Sequence, residues 1–407
     1  PLGSPGKEAP VRSRSTCCPR PDLHRSSSDT SAMGPVTRQR LSTLRSAIIM
    51  DEDLLTLIFE LCTVRDLCKI STVCQAWQHV SSEVLGAWRR GPSLYLVGGC
   101  GGGAHPASAH ARKTVLRYDF QGDDWVPCAA LHKARDHHAL VSHDGSLYAL
   151  GGWSGSRNRS SCERYSPQDD EWTLLPRHRL RTARSGHGAA VSNGAIFALA
   201  GWGGAHAGFL SSIECLSIQS VKDPTAASGD SDATRNVPSA SLHLARHCPA
   251  TAAIGRHVYV VGGSGTNPED ASMGAQPTAT VERLDTYALD DGWQRDIAPM
   301  LVPRYRHAMA VFDGHLYCTG GQTPDGRATS SVERFDPATG SWLTMPPMRR
   351  PRFSHACATH NGRLYVVGGF AGGVWLTAVE RYDPMSKRWE NLADLEAPVS
   401  APGLAVC

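Results

Sequence analysis

Residues Ala134–Gly152 read ARDHHALVSHDGSLYALGG, and that order of residue types returns four more times. The copies are ARSGHGAAVSNGAIFALAG at Ala183–Gly201, ARHCPATAAIGRHVYVVGG at Ala245–Gly263, PRYRHAMAVFDGHLYCTGG at Pro303–Gly321 and PRFSHACATHNGRLYVVGG at Pro351–Gly369. In each, an Arg stands sixteen residues before a terminal pair, which is Gly-Gly in four copies and Ala200-Gly201 in the other. A second block follows: CERYSPQDDEW, VERLDTYALDDGW, VERFDPATGSW and VERYDPMSKRW, ending at Trp172, Trp293, Trp342 and Trp389. A looser copy ends at Trp125. Repeats at a fixed period are read before anything else, because missing them misassigns the whole fold.

Each unit holds four short runs of β-type residues. Asp144-Gly145, Asn193-Gly194, Asp313-Gly314 and Asn361-Gly362 separate the first two runs and supply the positive φ of a tight hairpin. The paired glycines allow close backbone approach. The Trp gives each unit one large apolar body to pack. Four strands repeating every 48 to 62 residues predict radial repetition, a propeller. Leu94–Gly99 matches a second strand with no first strand ahead of it, and Pro398–Cys407 matches a first strand where the chain stops. The domain from 91 to 407 is therefore expected to have six blades, the first completed by residues 398–407, which removes edge strands by closure. The third unit lacks its Trp, and an insertion at 221–238 is expected as a mobile loop.

Composition agrees with a globular, turn-rich chain: 41% hydrophobic, 19% charged, 40 Gly and 26 Pro in 407 residues. A net charge of +3 gives no case for nucleic acid or an anionic membrane. Thirteen scattered cysteines with no CxxC pair show neither metal-ligand nor disulfide-scaffold spacing, so reduced thiols in the cytoplasm or nucleus are expected. No apolar run of about 18 residues is present. Pro1-Leu2-Gly3-Ser4 reads as an expression scar, with Met33 and Met50 as native starts. Residues 1–45 are Ser/Pro-rich and basic, and a disordered tail is expected there.

Residues 47–90 carry helical periodicity. Leu54, Leu55, Ile58 and Phe59 form one apolar face behind the acidic first turn Asp51-Glu52-Asp53. Thr63-x-x-Asp66 opens a second helix bearing Leu67, Val73, Cys74 and Trp77.

The Gly-Gly, Glu-Arg-Tyr-Asp-Pro and Trp pattern resembles the Kelch repeat family over roughly residues 91–407. Residues 50–88 resemble an F-box. The resemblances imply a mainly β chain, a six-bladed Kelch-type β-propeller preceded by a small α-helical F-box-like segment. They imply a non-catalytic, cofactor-free substrate-recognition subunit of a cullin-RING ubiquitin ligase. Met50, Leu54, Leu55, Ile58, Phe59, Val73, Cys74 and Trp77 would bind a Skp-type adaptor. The F-box pattern usually has Leu-Pro before its first helix, and Ile49-Met50 stands there instead. An interaction scaffold without ligase linkage is the competing reading. For an enzyme, no nucleophile, base and acid can be assigned.

Positions that vary between repeats are the functional candidates, because the scaffold does not dictate them. One set follows the Gly-Gly pair: Cys100, Trp153, Trp202, Ser264, Gln322 and Phe370. The other follows the recurrent Arg: Asp136 and His137, Ser185, His247, Tyr305 and Arg306, Phe353, and Ser400. Matching positions line the pocket mouth of peptide-binding Kelch propellers. Trp153, Trp202, Phe370, Gln322, Ser264, His137, Ser185, Tyr305, Arg306 and Phe353 are thus expected to bind a target protein through apolar anchors and an acidic group. The recurrent Arg135, Arg184, Arg246, Arg304 and Arg352 are expected to be structural, each pairing a carboxylate between blades, with a ligand-binding guanidinium ring as the alternative. The Glu-Arg pairs of the second block are also read as structural. The recurrent His137, His138, His187, His307 and His355 are expected to be spread round the ring, with no metal ligand set among them.

Overall fold

The computed structural model describes residues 92–101, 110–217, 234–237, 240–267 and 270–407. The expected tail at 1–45, the helical segment at 47–90 and all its adaptor-binding residues lie outside the described residues. What is described is mainly β, with propeller-like sheets and the short 3-10 turn Leu289–Asp291.

Six four-stranded antiparallel sheets follow one another. The second sheet shows the plan: Ala139–His143, Ser146–Leu150, Cys162–Ser166 and Glu171–Leu174, in that order from inside to outside. The third starts at Gly188–Ser192, the fourth at Ala250–Ile254, the fifth at Ala308–Phe312 and the sixth at Ala356–His360. In the first sheet the inner strand is the C-terminal Gly403–Val406, which pairs with Leu94–Val97 from Leu94↔Val406 to Val97↔Gly403. The six inner strands neighbour one another in cyclic order, Gly403–Val406 touching both the second and the sixth sheet.

Local sequence explains each element. Asp144 (φ 46°) and Gly145 (φ 67°) take the left-handed pair that a two-residue hairpin requires. Ser146–Leu150 is buried throughout, as a strand covered on both faces must be. The outer strand Glu171–Leu174 buries Trp172 alone. That indole N–H donates to the Ala129 carbonyl at 3.0 Å, in the link leading into the same sheet. Trp342 and Trp389 repeat this on Ala298 and Pro346, at 2.8 and 2.9 Å. One side chain thus fastens each of these three outer strands by area and by one hydrogen bond.

The recurrent arginines are 0% exposed, so they form no ring open to a ligand. Nor does the carboxylate come from a neighbouring sheet. Arg135 pairs with Glu163 at 2.6 Å, on the third strand of the sheet that Arg135 itself leads into. Arg184–Glu214, Arg246–Glu282, Arg304–Glu333 and Arg352–Glu380 repeat the pair. The Arg135 guanidinium also donates to the carbonyls of Gly151 and Ser161, at 2.7 and 3.0 Å, while Glu163 accepts the His132 and Lys133 amides. Three chain segments meet on one ion pair whose hydrogen-bonding capacity is largely used, which is what a buried pair needs to survive its desolvation.

In the first sheet both partners are exchanged together. Val399 stands at the Arg place and Leu116 at the Glu place, and they pack in one apolar cluster. A crevice of about 160 Å³ lies beside them, lined by Leu96, Trp125 and Leu395 among others. The buried Trp125 indole N–H has no partner there.

The insertion expected as a loop at 221–238 contains a strand. Thr234–Asn236 is the outer strand of the third sheet, pairing with Ile213–Ser217. Val237, Ala240 and Leu242 follow it into the apolar core. This outer strand carries no Trp, so the motif used to find the others could not mark it.

The exchange in the first sheet predicts a double-mutant result. Arg304→Val or Glu333→Leu alone strands a buried charge and should cost about 3–5 kcal/mol. The two together should cost less than either alone, as measured by urea unfolding midpoints. Additive losses would show that the pair is not a coupled unit.

Candidate functional site

The link into each inner strand crosses the axis end of the sheets with three consecutive positions after the recurrent Arg. The first position pairs across a β-bridge with the residue that follows the paired glycines. The bridges are Asp136–Trp153, Ser185–Trp202, Tyr305–Gln322, Phe353–Phe370 and Cys100–Ser400, with His247–Ser264 paired likewise. The two sets of variable positions expected at the mouth therefore meet residue against residue, except His137 and Arg306, which stand one position further on.

The second position is His137, Gly186, Cys248, Arg306, Ser354 or Ala401. All six have left-handed backbone, with φ of 47°, 56°, 50°, 54°, 50° and 51°. Each amide donates to the same position of the adjacent sheet. His137 donates to Ala401 (3.1 Å), Gly186 to His137 (2.8 Å), Cys248 to Gly186 (2.7 Å), Arg306 to Cys248 (3.1 Å), Ser354 to Arg306 (2.7 Å) and Ala401 to Ser354 (2.7 Å). Six peptide groups form a closed hydrogen-bonded ring. The backbone makes it, so the side chains at these positions are free to differ.

Their chemistry is uneven around the ring. The Arg306 guanidinium carbon lies 5.2 Å from the centroid of Tyr305 and 5.8 Å from that of Phe353, between two aromatic rings of adjacent sheets. Phe353 meets Phe370 at 5.4 Å, and Phe370 meets Trp375 at 6.5 Å. Across the ring, Trp202 packs on Phe209 at 5.3 Å. Trp153 stands apart from both aromatic groups, bridged to Asp136 and Asn158. Phe209 and Trp375 were not singled out from the sequence. They lie in the hairpins after the paired glycines, at positions without a fixed spacing, and only their aromatic type marked them.

Asp136 is buried and bonds His137 Nδ1 at 2.8 Å. Burial disfavours a charge on His137, but that hydrogen bond and the nearby Cys248 sulfur outweigh it and raise its pKa. For Cys248, burial works against the thiolate, and His247 (Sγ to Nε2, 3.4 Å), His137 and Arg306 overcome it, bringing the thiol down to about 6. Cys100 moves the other way, up to about 12, through burial and the Asp136 charge.

The third position holds His138, His187, Pro249, His307, His355 and Pro402. Although spread round the ring in sequence, these histidines converge at the axis. Together with the second-position residues they line one cavity of about 110 Å³. Both ring nitrogens of His138, His187 and His307 lack partners. Burial and the neighbouring arginines hold His138, His187 and His355 well below the usual histidine range, and burial and Arg304 bring His307 down to about 3. Among the described residues, no group of three or more His, Cys, Asp or Glu is placed to hold a metal ion.

The profile of the Attractin/LZTR1 beta-propeller family matches residues 94–379. Kelch-like protein 23 of Mus musculus is 24% identical over 262 residues, 64% of this chain and 41% of that protein. Kelch-like protein 35 of Mus musculus is 28% identical over 234 residues, 58% of this chain and 35% of that one. Kelch repeat and BTB domain-containing protein 13 of Homo sapiens is 34% identical over 117 residues, 28% and 22% of the two. The chain spans less than half the length of these curated relatives.

The axial histidines set a pH dependence. They stay neutral in the native state, whereas the unfolded chain protonates them near the ordinary histidine pKa of about 6.5. Below that pH the unfolded state binds more protons, so stability falls as pH falls from about 6.5 toward the native value of about 3 for His307. Each such histidine contributes about 1.4 kcal/mol per pH unit in that window. His307→Gln should flatten the slope of unfolding free energy between about pH 6.5 and about pH 5 by one proton's worth. An unchanged slope would mean that His307 is charged in the fold.

Proposed function

The chain belongs to the Attractin/LZTR1 beta-propeller family, and from that premise we propose that it is a non-catalytic receptor whose axial mouth holds a segment of a target protein. The six sheets are read as the six blades of one closed propeller. The observation that carries the function is the pairing of the two variable sets around a backbone ring. A rigid frame built from invariant parts presents His137, Ser185, Tyr305, Arg306, Phe353, Trp153, Trp202, Ser264, Gln322 and Phe370 at one end of the axis. Aromatic rings around a guanidinium are the usual make-up of a binding hot spot. Arg306 between Tyr305 and Phe353 suits a carboxylate flanked by apolar or aromatic anchors, since the rings exclude water from the ion pair.

Its place in the cell is proposed as target recognition for a ubiquitin ligase. Support comes from the likeness to Kelch-like proteins and from the pattern Leu54, Leu55, Ile58, Phe59, Val73, Cys74 and Trp77, which fits an F-box contacting a Skp-type adaptor. The relative named for a BTB domain points to another way of joining a Kelch propeller to a larger assembly. Ile49-Met50 in place of Leu-Pro favours a second reading, a scaffold with no ligase attached.

Arg306→Glu and Phe353→Ala in the full chain should each weaken capture of the same set of proteins from lysate. A hot-spot loss of about 2 kcal/mol corresponds to about 30-fold. Undiminished capture by both variants would refute the mouth. Polar replacements at Leu55, Ile58 and Trp77 should remove a co-purifying Skp-type adaptor and leave that set of targets bound. If no adaptor co-purifies with the parent chain, the scaffold reading stands.

A further inference from the structure

We propose that Cys248 is a modification site for hydroperoxides and soft carbon electrophiles, reached through the axial cavity. Three features of the geometry carry this. The sulfur stands on the amide ring at the axis and lines the 110 Å³ cavity. His247 Nε2 lies 3.4 Å from it, and the charges of His137 and Arg306 act on it. The same cavity is lined by polar groups that nothing satisfies. His138, His187 and His307 are 7%, 6% and 6% exposed, and neither ring nitrogen of any of them has a partner. The buried Arg306 Nε is also unpaired. Neutral imidazoles each offer one donor and one acceptor. A small guest with both, such as a peroxide, fits that inventory.

Gly186 is what lets His247 stand there. A Cβ at that position would lie 2.2 Å from His247 Nε2 and 2.8 Å from the Cys248 sulfur. The space a side chain would take at Gly186 is filled by the His247 ring and the Cys248 sulfur, which holds the two together.

The thiolate is the reactive form. With hydrogen peroxide, the sulfur attacks one peroxide oxygen. An S–O bond forms as the O–O bond breaks, the sulfur gives up two electrons, and hydroxide leaves to be protonated by solvent. The product is a sulfenic acid. With iodoacetamide, an S–C bond forms and iodide departs. Among the described cysteines Cys100, Cys162, Cys357 and Cys407 are shifted up, to about 12, 12, 12 and 11, so their thiolates are scarce near neutrality.

The test uses the full chain without any binding partner, so its failure leaves the proposed mouth untouched. Alkylation by limiting iodoacetamide is followed from about pH 4.5 to about pH 9 by peptide mass spectrometry. Cys248 should label with a midpoint near 6 and, at about pH 6.5, more than about a hundredfold faster than Cys100, whose thiol is shifted up to about 12. Gly186→Ala, which displaces His247 without changing any titrating residue, should raise the midpoint by about one unit. Arg306→Gln should do the same and Arg306→Lys should restore it. Each variant is first checked for an unchanged melting curve, and His247→Gln, which removes the imidazole without adding a Cβ at Gly186, replaces Gly186→Ala if that variant fails. Peroxide followed by a sulfenic-acid trap should mark Cys248. No label on Cys248, or a midpoint at the ordinary thiol value in parent and variants alike, overturns the proposal. Alkylation without a trapped sulfenate overturns its peroxide half.

Discussion

The molecule turns on six peptide groups that donate to one another in a closed circle at the axis. Such a circle requires every member to hold left-handed backbone, a conformation that costs an L-residue roughly 1–2 kcal/mol. Five of the six are not glycine. The conformation persists because the next link on each side is fixed. Two residues before the ring residue, a buried Arg–Glu pair clamps five of the six links to their own sheets, and the apolar Val399–Leu116 contact does so in the first. Immediately after it, a His or Pro is packed at the axis and the inner strand begins. Backbone strain of this kind survives only where the surroundings over-determine it. Here the backbone alone closes the circle and leaves the identities of its members open.

That division explains how much could be read from the chain. The repeats, the hairpin dipeptides and the strand shared between the two ends follow from local chemistry, and the structure pairs Gly403–Val406 with Leu94–Val97. Contrast between constant and varying positions also isolated the two sets that the β-bridges bring together. What was not legible depends on neighbours distant in sequence. The Arg135 partner, Glu163, was sought across sheets because repetition alone cannot say which copy of a carboxylate an arginine meets. His138, His187 and His307 recur far apart in the chain, yet radial arrangement converts equal register into proximity at the axis. Thr234–Asn236 was hidden because it lacks the Trp by which outer strands were recognised.

The first sheet shows what happens to the clamp where the chain is spliced from its two ends. Val399 and Leu116 replace both charges at once. A lone survivor would be an unpaired buried ion, whereas an apolar pair of similar size is often neutral or better. The remaining crevice and the unpaired Trp125 indole N–H mark imperfect filling. Closure here also joins residues at opposite ends of the domain, an ordering step with a large loop-closure cost. In a misaligned register of this joint a charge pair would leave both ions buried and separated. Apolar replacements tolerate such slips.

Closure is therefore coupled to any occupant of the proposed mouth. Ala401 belongs to the C-terminal piece, and it both accepts from His137 and donates to Ser354. Until that piece docks, the amide circle has a gap between the second and sixth sheets, and Phe353, Phe370 and His137 lose the frame that fixes their spacing. Any occupant touching both sides of the gap binds only the closed form. By mass action it must then stabilise closure in proportion to the logarithm of its concentration over its dissociation constant. Conversely, loosening of the last strand weakens the occupant to the extent that it lowers the closed fraction. The site is thus not a feature added to a finished scaffold. The second-position ring is also the joint that finishes it.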